Sequence, residues 1–277
     1  MRVIYSLSTL PFYAKTQNGK FKAERFELYC AAISSLTRRR DGDTTEMHVD
    51  SEGAEYIRAL GISGLWNEVF VSIPDDFEGI NPLMFWAAGK LFALRKTPAP
   101  VLMLDTDFIA WKLPEFSDRI VAAHREELMP DIYPPADYFR MKKGYIFNGA
   151  YNYSAKPLNT AFLYLPDDEI RQYYVNSATC FMKSAEDCGD YLCYMVYAEQ
   201  RLLSMCAEHL KRGVDTVLDW DKLRFPQRNY THLWGAKQVM RENKGECERF
   251  CEKCRNRIRR DFPEYEYVTD IIEKTRD

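Results

Sequence analysis

Two carboxylates one residue apart, Asp105 and Asp107, close the apolar run Val101-Leu102-Met103-Leu104. Four apolar residues in a row suit a strand buried on both faces. Continued as extended chain, alternation turns Asp105 and Asp107 to one side and Thr106 to the other. In open α/β sheets, ligands bind in the crevice beyond the carboxyl ends of the strands. Two like charges placed there repel each other unless a cation lies between them. Hard divalent ions take oxygen ligands and are commonly completed by substrate phosphates. The pattern therefore predicts a metal-diphosphate site. The competing reading is a solvated Asp pair in a turn after a core strand, the usual meaning of an isolated Asp-x-Asp.

A second group of residues could also do chemistry. Cys247, Cys251 and Cys254 have the C-x3-C-x2-C spacing that radical enzymes use to hold an iron–sulfur cluster. The stretch around them reads as helix, so the three positions share one face and predict small buried side chains. The eight cysteines are scattered, and without a secretory signal they are expected to be reduced thiols.

The elements that must position Asp105 and Asp107 follow an α/β order. Arg2 to Leu7 reads as a strand rather than a signal peptide, and Ser8-Thr9 is where the chain leaves the sheet. Phe21 to Leu36 has helical spacing, Thr44 to Val49 is strand-like and ends at Asp50, and Glu52 to Leu60 is a helix stopped by Gly61. Trp66 to Ile73 follows as a strand, so this part indicates parallel strands joined by crossovers. Asn81 to Arg95 is expected as an apolar helix carrying Lys90, and Arg119 to His124 and Asn159 to Leu165 as strands. Asp167 to Lys183 and Asp190 to Lys211 read as helices, Val217 to Trp220 as a late strand, and a charged helix ends the chain. The Pro-rich, aromatic stretch from Met129 to Lys143 resembles a substrate-facing excursion. No repeat interrupts the 277 residues, which predicts one domain: 1–110 as a nucleotide-binding half, 111–240 as an acceptor and sugar half, and 241–277 as a C-terminal helical cap.

In combination, the Asp-x-Asp strand, the later Asn159-Thr160-Ala161-Phe162 strand, the Glu199-Gln200 pair on a helix and the late His232-x-x-Gly235 with Lys237 resemble glycosyltransferases of the GT-A fold, the family 8-like group and related bacterial polysaccharide transferases. The resemblance covers residues 1 to about 240 and implies a Rossmann-type mixed sheet flanked by helices. It implies that Asp105, Asp107 and His232 hold Mn²⁺ or Mg²⁺ against the diphosphate of a nucleotide sugar, with Lys237 neutralising a phosphate oxygen. Imidazole suits Mn²⁺ better than Mg²⁺. The family pattern is His-x-x-Gly-x-x-Lys-Pro-Trp, whereas here Lys237 follows Gly235 by two residues and no Pro-Trp comes after it. Asp50, with Thr9 nearby, matches where such enzymes hold the base or ribose, and Lys90 matches a basic residue reaching the donor. Asn159 and Thr160 would meet the transferred sugar, and Glu199 and Gln200 would face its reactive carbon. Each has a plainer role: Asp50 as a helix cap, Lys90 reaching from a buried helix to water, His232 as a packed core histidine, Asn159 as a turn residue, and Glu199-Gln200 as a polar stripe.

The implied function is metal-dependent transfer of a sugar from a nucleotide-diphosphate sugar, expected to be a UDP-sugar, to a glycan, lipid-linked or protein acceptor. Two rivals are a non-catalytic sugar-nucleotide-binding protein and a sugar nucleotidyltransferase. The second usually has a Gly- and Arg-rich phosphate loop near its first strand, and none follows Leu7 here. A net charge of -3 gives no bias towards nucleic acid, and no run nears the ~18 apolar residues of a membrane span. A cytoplasmic protein is expected, with Arg255-Asn256-Arg257-Ile258-Arg259-Arg260 as a candidate peripheral contact with anionic lipid at the inner membrane face.

Overall fold

The computed structural model describes residues 1–16, 18–223, 225 and 227–275. Four strands of an α/β sheet, a fifth short strand outside it and the helices between them make up the first half of the chain. These are β1 (Arg2–Leu7), α1 (Leu10–Lys15), α2 (Arg25–Arg40), β2 (Thr44–Val49), α3 (Ser51–Leu60), β3 (Glu68–Val71), α4 (Ala88–Lys96), β4 (Val101–Leu104) and β5 (Phe108–Ala110). The second half adds β6 (Ile120–Arg125), β7 (Leu158–Leu165), α5 (Asp168–Ser184), α6 (Tyr191–Val196), a π-helical turn (Tyr197–Arg201), α7 (Leu202–His209), β8 (Val214–Thr216) and β9 (Tyr230–His232). The chain closes with α8 (Ala236–Glu242), α9 (Lys244–Asp261) and α10 (Glu266–Glu273).

The main sheet is mixed and ordered β3-β2-β1-β4-β7-β6-β8. The first four strands are parallel, β7 runs antiparallel to both β4 and β6, and β8 is parallel to β6. The strand order reverses between β1 and β4, so a crevice is expected at their carboxyl ends. Strand β4 is buried along its whole length, and its residues alternate between two cores. Val101 and Met103 join α4, α5 and α7 on one face, while Leu102 and Leu104 join α2, α9 and α10 on the other. This α/β sandwich with helices on both faces is the expected architecture.

Three expectations need correction. The helix expected over 81–95 begins only at Ala88, because the Asn81 side chain accepts from Leu83 N and Met84 N and holds a turn there. The strand expected at 217–220 lies earlier, at Val214–Thr216. Val217 and Leu218 still donate to Ala122 O and Ala123 O before the chain turns into a 3₁₀ helix at Trp220. The single closing helix is three helices: Asn243 caps α9 by accepting from Glu246 N, and Pro263 separates α9 from α10.

On α9, Cys251 and Cys254 are buried and Cys247 is half-buried, packed with α2 as small core residues. All four arginines of the run from Arg255 to Arg260 face carboxylates: Glu273, Asp261, Glu266 and again Asp261. The run is therefore charge-balanced within the fold. No helix among the described residues is long and apolar enough to cross a membrane.

Candidate functional site

The two aspartates converge through a turn rather than through strand alternation. Strand β4 stops at Leu104, and Phe108 N donates to Asp105 O at 3.0 Å, closing a β-turn across Asp105-Thr106-Asp107-Phe108. Both carboxylates still face one cavity, and Thr106 faces another, as alternation had suggested for a different reason. Just beyond the turn, β5 pairs with β9 in a two-stranded sheet that sets Phe108 opposite His232. Leu233 N donates to Asp107 O at 3.1 Å, and His232 Nε2 comes within 3.9 Å of Asp107 Oδ2.

The cavity, of about 250 Å³, is lined by Asp105, Asp107, Asn159, Thr160, Glu199, Gln200, His232 and Lys237, with Ala161 and Trp234. Asn159 and Thr160 start β7, beside β4. Glu199 and Gln200 come from the π-helical turn between α6 and α7, an irregularity found frequently at functional sites. Tyr174 anchors that turn by donating its hydroxyl to Glu199 O at 2.6 Å.

Lys90 of α4 lies beneath the cavity and ties its walls together. Its Nζ is 2.7 Å from Asp105 Oδ1 and donates to Glu199 Oε1 at 2.5 Å, Thr160 Oγ1 at 2.9 Å and Thr160 O at 3.2 Å. Burial alone would lower its pKa, but the Asp105 and Glu199 carboxylates outweigh burial and raise it. Lys90 therefore stays charged and does not reach water. Burial, reinforced by repulsion from Asp107 and Glu199 against the pull of Lys90, pushes the Asp105 carboxyl up, to about 6.

On the other wall, Lys237 in the first turn of α8 puts Nζ 3.0 Å from Asp107 Oδ2 and 3.7 Å from Glu27 Oε1. The shorter spacing from Gly235 thus still delivers the ammonium to the aspartate pair. Burial holds His232 neutral, its pKa lowered to about 4 although Asp107 pulls the other way. Two carboxylates and a neutral imidazole on one cavity are the right donor types for Mn²⁺. As the side chains stand, no group of three His, Cys, Asp or Glu among the described residues is assembled as a metal site. The lysines hold the carboxylates instead.

Three residues expected at the site stand elsewhere. Asp50 is 1% exposed and caps α3: Oδ1 accepts from Gly53 N at 2.7 Å and Thr9 Oγ1 at 3.0 Å, and Oδ2 from Thr9 N at 2.6 Å and Ser8 Oγ at 2.8 Å. Thr9 is thereby committed to Asp50. Gly235 is the N-cap residue of α8 and does not line the cavity. Asn159 does line it, but its amide is engaged within the protein, Nδ2 donating to Glu126 Oε1 at 3.2 Å and Oδ1 accepting from Ala161 N at 3.1 Å.

Sequence reasoning did not single out Tyr133, Glu27 or Trp234. Tyr133, inside the stretch expected to face substrate, donates its hydroxyl to Gln200 Oε1 at 2.6 Å and so turns the amide nitrogen of Gln200 away from that bond. Its only signal was membership of that Pro-rich aromatic stretch. Glu27 looks like an ordinary helix residue until Lys237 arrives beside it, and Trp234 carried only the signal of standing between His232 and Lys237.

No family model matches the chain, and no curated protein matches it. Similar solved structures include one described as PaToxG glycosyltransferase, with 12% identity over 76% of this chain and 69% of that one and a TM-score of 0.44. Another is the galactosyltransferase LgtC in complex with donor and acceptor sugar analogues, at 14% identity, 78% and 73% coverage and a TM-score of 0.42. An active-site mutant of LgtC gives 13%, 78% and 72%, and 0.42.

Proposed function

We propose that the chain is a glycosyltransferase that takes a sugar from a nucleotide-diphosphate sugar, a UDP-sugar in our reading, and needs Mn²⁺ or Mg²⁺ to do so. The observation that carries this is the one cavity lined both by a set that suits a cation and phosphate, Asp105, Asp107, His232 and Lys237, and by a set that suits a sugar, Thr160, Glu199 and Gln200. A nucleotide-sugar donor has two parts that such a division suits: a diphosphate that needs cations, and a sugar ring whose anomeric carbon becomes electron-poor as the bond to phosphate breaks.

Asp105, Asp107 and His232 would hold the ion, which supplies Lewis-acid stabilisation of the leaving diphosphate. Lys237 adds a fixed positive charge on the same side, acting where negative charge develops. Thr106 lines an adjoining cavity of about 230 Å³ whose walls are mostly apolar, among them Leu28, Ala31 and Tyr56, with Glu27 also at its edge, a lining that suits a nucleobase. On the sugar side, the Glu199 carboxyl group is held in place by Lys90 and by the Thr160 hydroxyl, which donates to its Oε1 at 2.5 Å. A carboxylate fixed there stabilises an oxocarbenium-like centre, as carboxylates do in glycoside hydrolysis. Gln200, oriented by Tyr133, offers its amide N–H to sugar hydroxyls.

Calorimetric titration of the metal-free protein with UDP, with and without Mn²⁺, tests the reading, with Asp107→Ala as control. Binding that needs Mn²⁺ and disappears in the variant is expected, followed by turnover of one UDP-sugar. Metal-dependent binding with no turnover of any nucleotide sugar would leave a sugar-nucleotide-binding protein. Binding indifferent to both metal and variant would remove the donor site.

A further inference from the structure

The bond that makes Tyr197–Arg201 a π-helical turn runs from Leu202 N to Tyr197 O, an i→i+5 contact. Glu199 and Gln200, between those two residues, line the cavity of the aspartate pair, whereas Tyr197 and Leu202 line a separate cavity of about 330 Å³. The two cavities share no residue, so one short turn contributes to both. The separate cavity is also lined by Tyr173, Asn176 and Cys180 of α5 and by the stretch from Tyr145 to Tyr151 ahead of β7. Its volume lies within the roughly 300–1,000 Å³ of small-molecule sites. Five rings line it, with Phe147 set edge to face against Tyr145 at 5.1 Å and against Tyr197 at 6.2 Å. Several of its hydroxyls are spent on each other, Tyr151 Oη lying 3.1 Å from Ser177 Oγ and 3.4 Å from Tyr173 Oη. The Asn176 amide makes no hydrogen bond among the described residues and is left for a ligand. Ile146, also in the lining, is 86% exposed, the most exposed large apolar side chain described.

We infer that this cavity binds an uncharged planar aromatic molecule with a hydrogen-bonding edge, and that its occupant acts on the π-helical turn that holds Glu199 and Gln200. The binding stands by itself, while its consequence for sugar transfer rests on the donor site proposed above. No Asp, Glu, Lys, Arg or His is among the lining residues, so a charged ligand would give up its hydration without meeting a counter-charge. An organic cation, which aromatic rings attract, is further disfavoured by the Arg201 guanidinium 5.8 Å from the centre of the Tyr197 ring. A flat neutral ring meets these walls face or edge on, and its polar edge meets Asn176. Such an occupant touches Tyr197 and Leu202, the two residues joined by the i→i+5 bond. Its affinity therefore differs between the π-helical turn and a regular α-turn, which is what shifting such an equilibrium requires.

Titration of the nitrogen-labelled full chain with indole and nicotinamide, followed by NMR, tests this, with benzoate and benzyltrimethylammonium as charged comparators. At least one neutral probe is expected to bind, more tightly than either charged one. It should move the Leu202 amide resonance and, across the turn, that of the Gln200 side-chain amide. Cys180→Trp fills the cavity from an exposed position and should abolish these shifts. Asn176→Ala should weaken binding about fivefold, as loss of one hydrogen bond does. Cys180 is the one exposed thiol of the chain, so in the wild type a neutral probe at about five times its Kd should slow alkylation of Cys180 by N-ethylmaleimide about sixfold. Binding of neither neutral probe, binding no tighter than that of the charged comparators, indifference to either variant, an unprotected Cys180, or shifts that stop short of Gln200 would each overturn the inference. None of these readouts needs UDP, so failure of the donor site is read separately.

Discussion

Lys237 Nζ stands 3.0 Å from Asp107 Oδ2, so a cation of the chain already occupies one of the two carboxylates expected to bind metal. A divalent ion and Lys237 therefore compete for the same oxygen. A phosphate oxygen in the cavity would draw Lys237 off Asp107 and relieve that competition. Lys237→Met is then expected to move two affinities in opposite directions. Lys237 is partly exposed, and such pairs are worth about 1 kcal/mol or less, so Mn²⁺ alone should bind up to roughly fivefold more tightly. UDP in the presence of Mn²⁺ should bind more weakly. Paramagnetic resonance of free Mn²⁺ reads the first and calorimetry the second. An unchanged Mn²⁺ affinity, with binding still lost in Asp107→Asn, would sink the competition.

Lys90 supports the opposite corner, where two carboxylates meet one ammonium. It is 7% exposed, and its partners Asp105 and Glu199 lose the lysine they share when it is removed. Breaking a buried pair from one side leaves uncompensated charge and costs about 3–5 kcal/mol. Lys90→Met should lower stability by that order in urea unfolding at pH 7. Lys90→Met with Glu199→Gln should recover part of it, since one of the stranded charges is gone. If the single variant costs no more than a surface pair, Lys90 is not what holds this corner.

These contacts mark where sequence stops being informative. The burial of β4 was readable from Val101 to Leu104, because a run without polar residues has nowhere to go but between two layers. That Asp105 and Asp107 share a cavity was also readable, yet the cause was not: strand alternation and a tight turn can present the same two side chains to one side. The Glu199-Gln200 pair could be placed on a helix, but not on a π-turn, since an i→i+5 bond leaves no spacing signature in so short a stretch. Lys237 illustrates a further limit. Counting residues from Gly235 suggests a misplaced lysine, whereas a long flexible side chain at the start of α8 still reaches Asp107.

Asp50 offers a clean separation of cap from ligand. Its carboxylate accepts four hydrogen bonds, which uses its roughly four acceptor positions. Asp50→Ala removes the α3 cap and strands the buried donors of Thr9, a loss of about 3 kcal/mol by the usual cost of a cap plus unsatisfied groups. In the folded variant, UDP affinity should change less than about twofold, well under the 1.4 kcal/mol that makes a factor of ten. Unfolding curves and calorimetry measure the two separately. A large loss of UDP affinity at unchanged stability would instead put Asp50 on the nucleotide.

His48 makes the stability of the sheet depend on pH. It lies on β2 with Nδ1 2.7 Å from Ser72 Oγ and Nε2 3.3 Å from Thr97 Oγ1, and burial, with help from the Arg2 charge, lowers its pKa from 6.5 to about 4. The folded chain therefore resists the proton that the unfolded chain accepts. Between pH 6.5 and about 4 the unfolded state binds more protons, so stability falls as pH falls through that window and is fully retained above it. At pH 5 the shift amounts to about 2 kcal/mol. His232 is shifted in the same direction, so the wild-type curve alone does not isolate His48, but the difference from His48→Gln does. The glutamine keeps an amide able to meet Ser72 or Thr97 while having no proton to gain. Urea unfolding at pH 7 and pH 5 should show the wild type losing about 2 kcal/mol more than His48→Gln. Parallel losses in the two proteins would mean that His48 is protonated as readily in the fold as outside it.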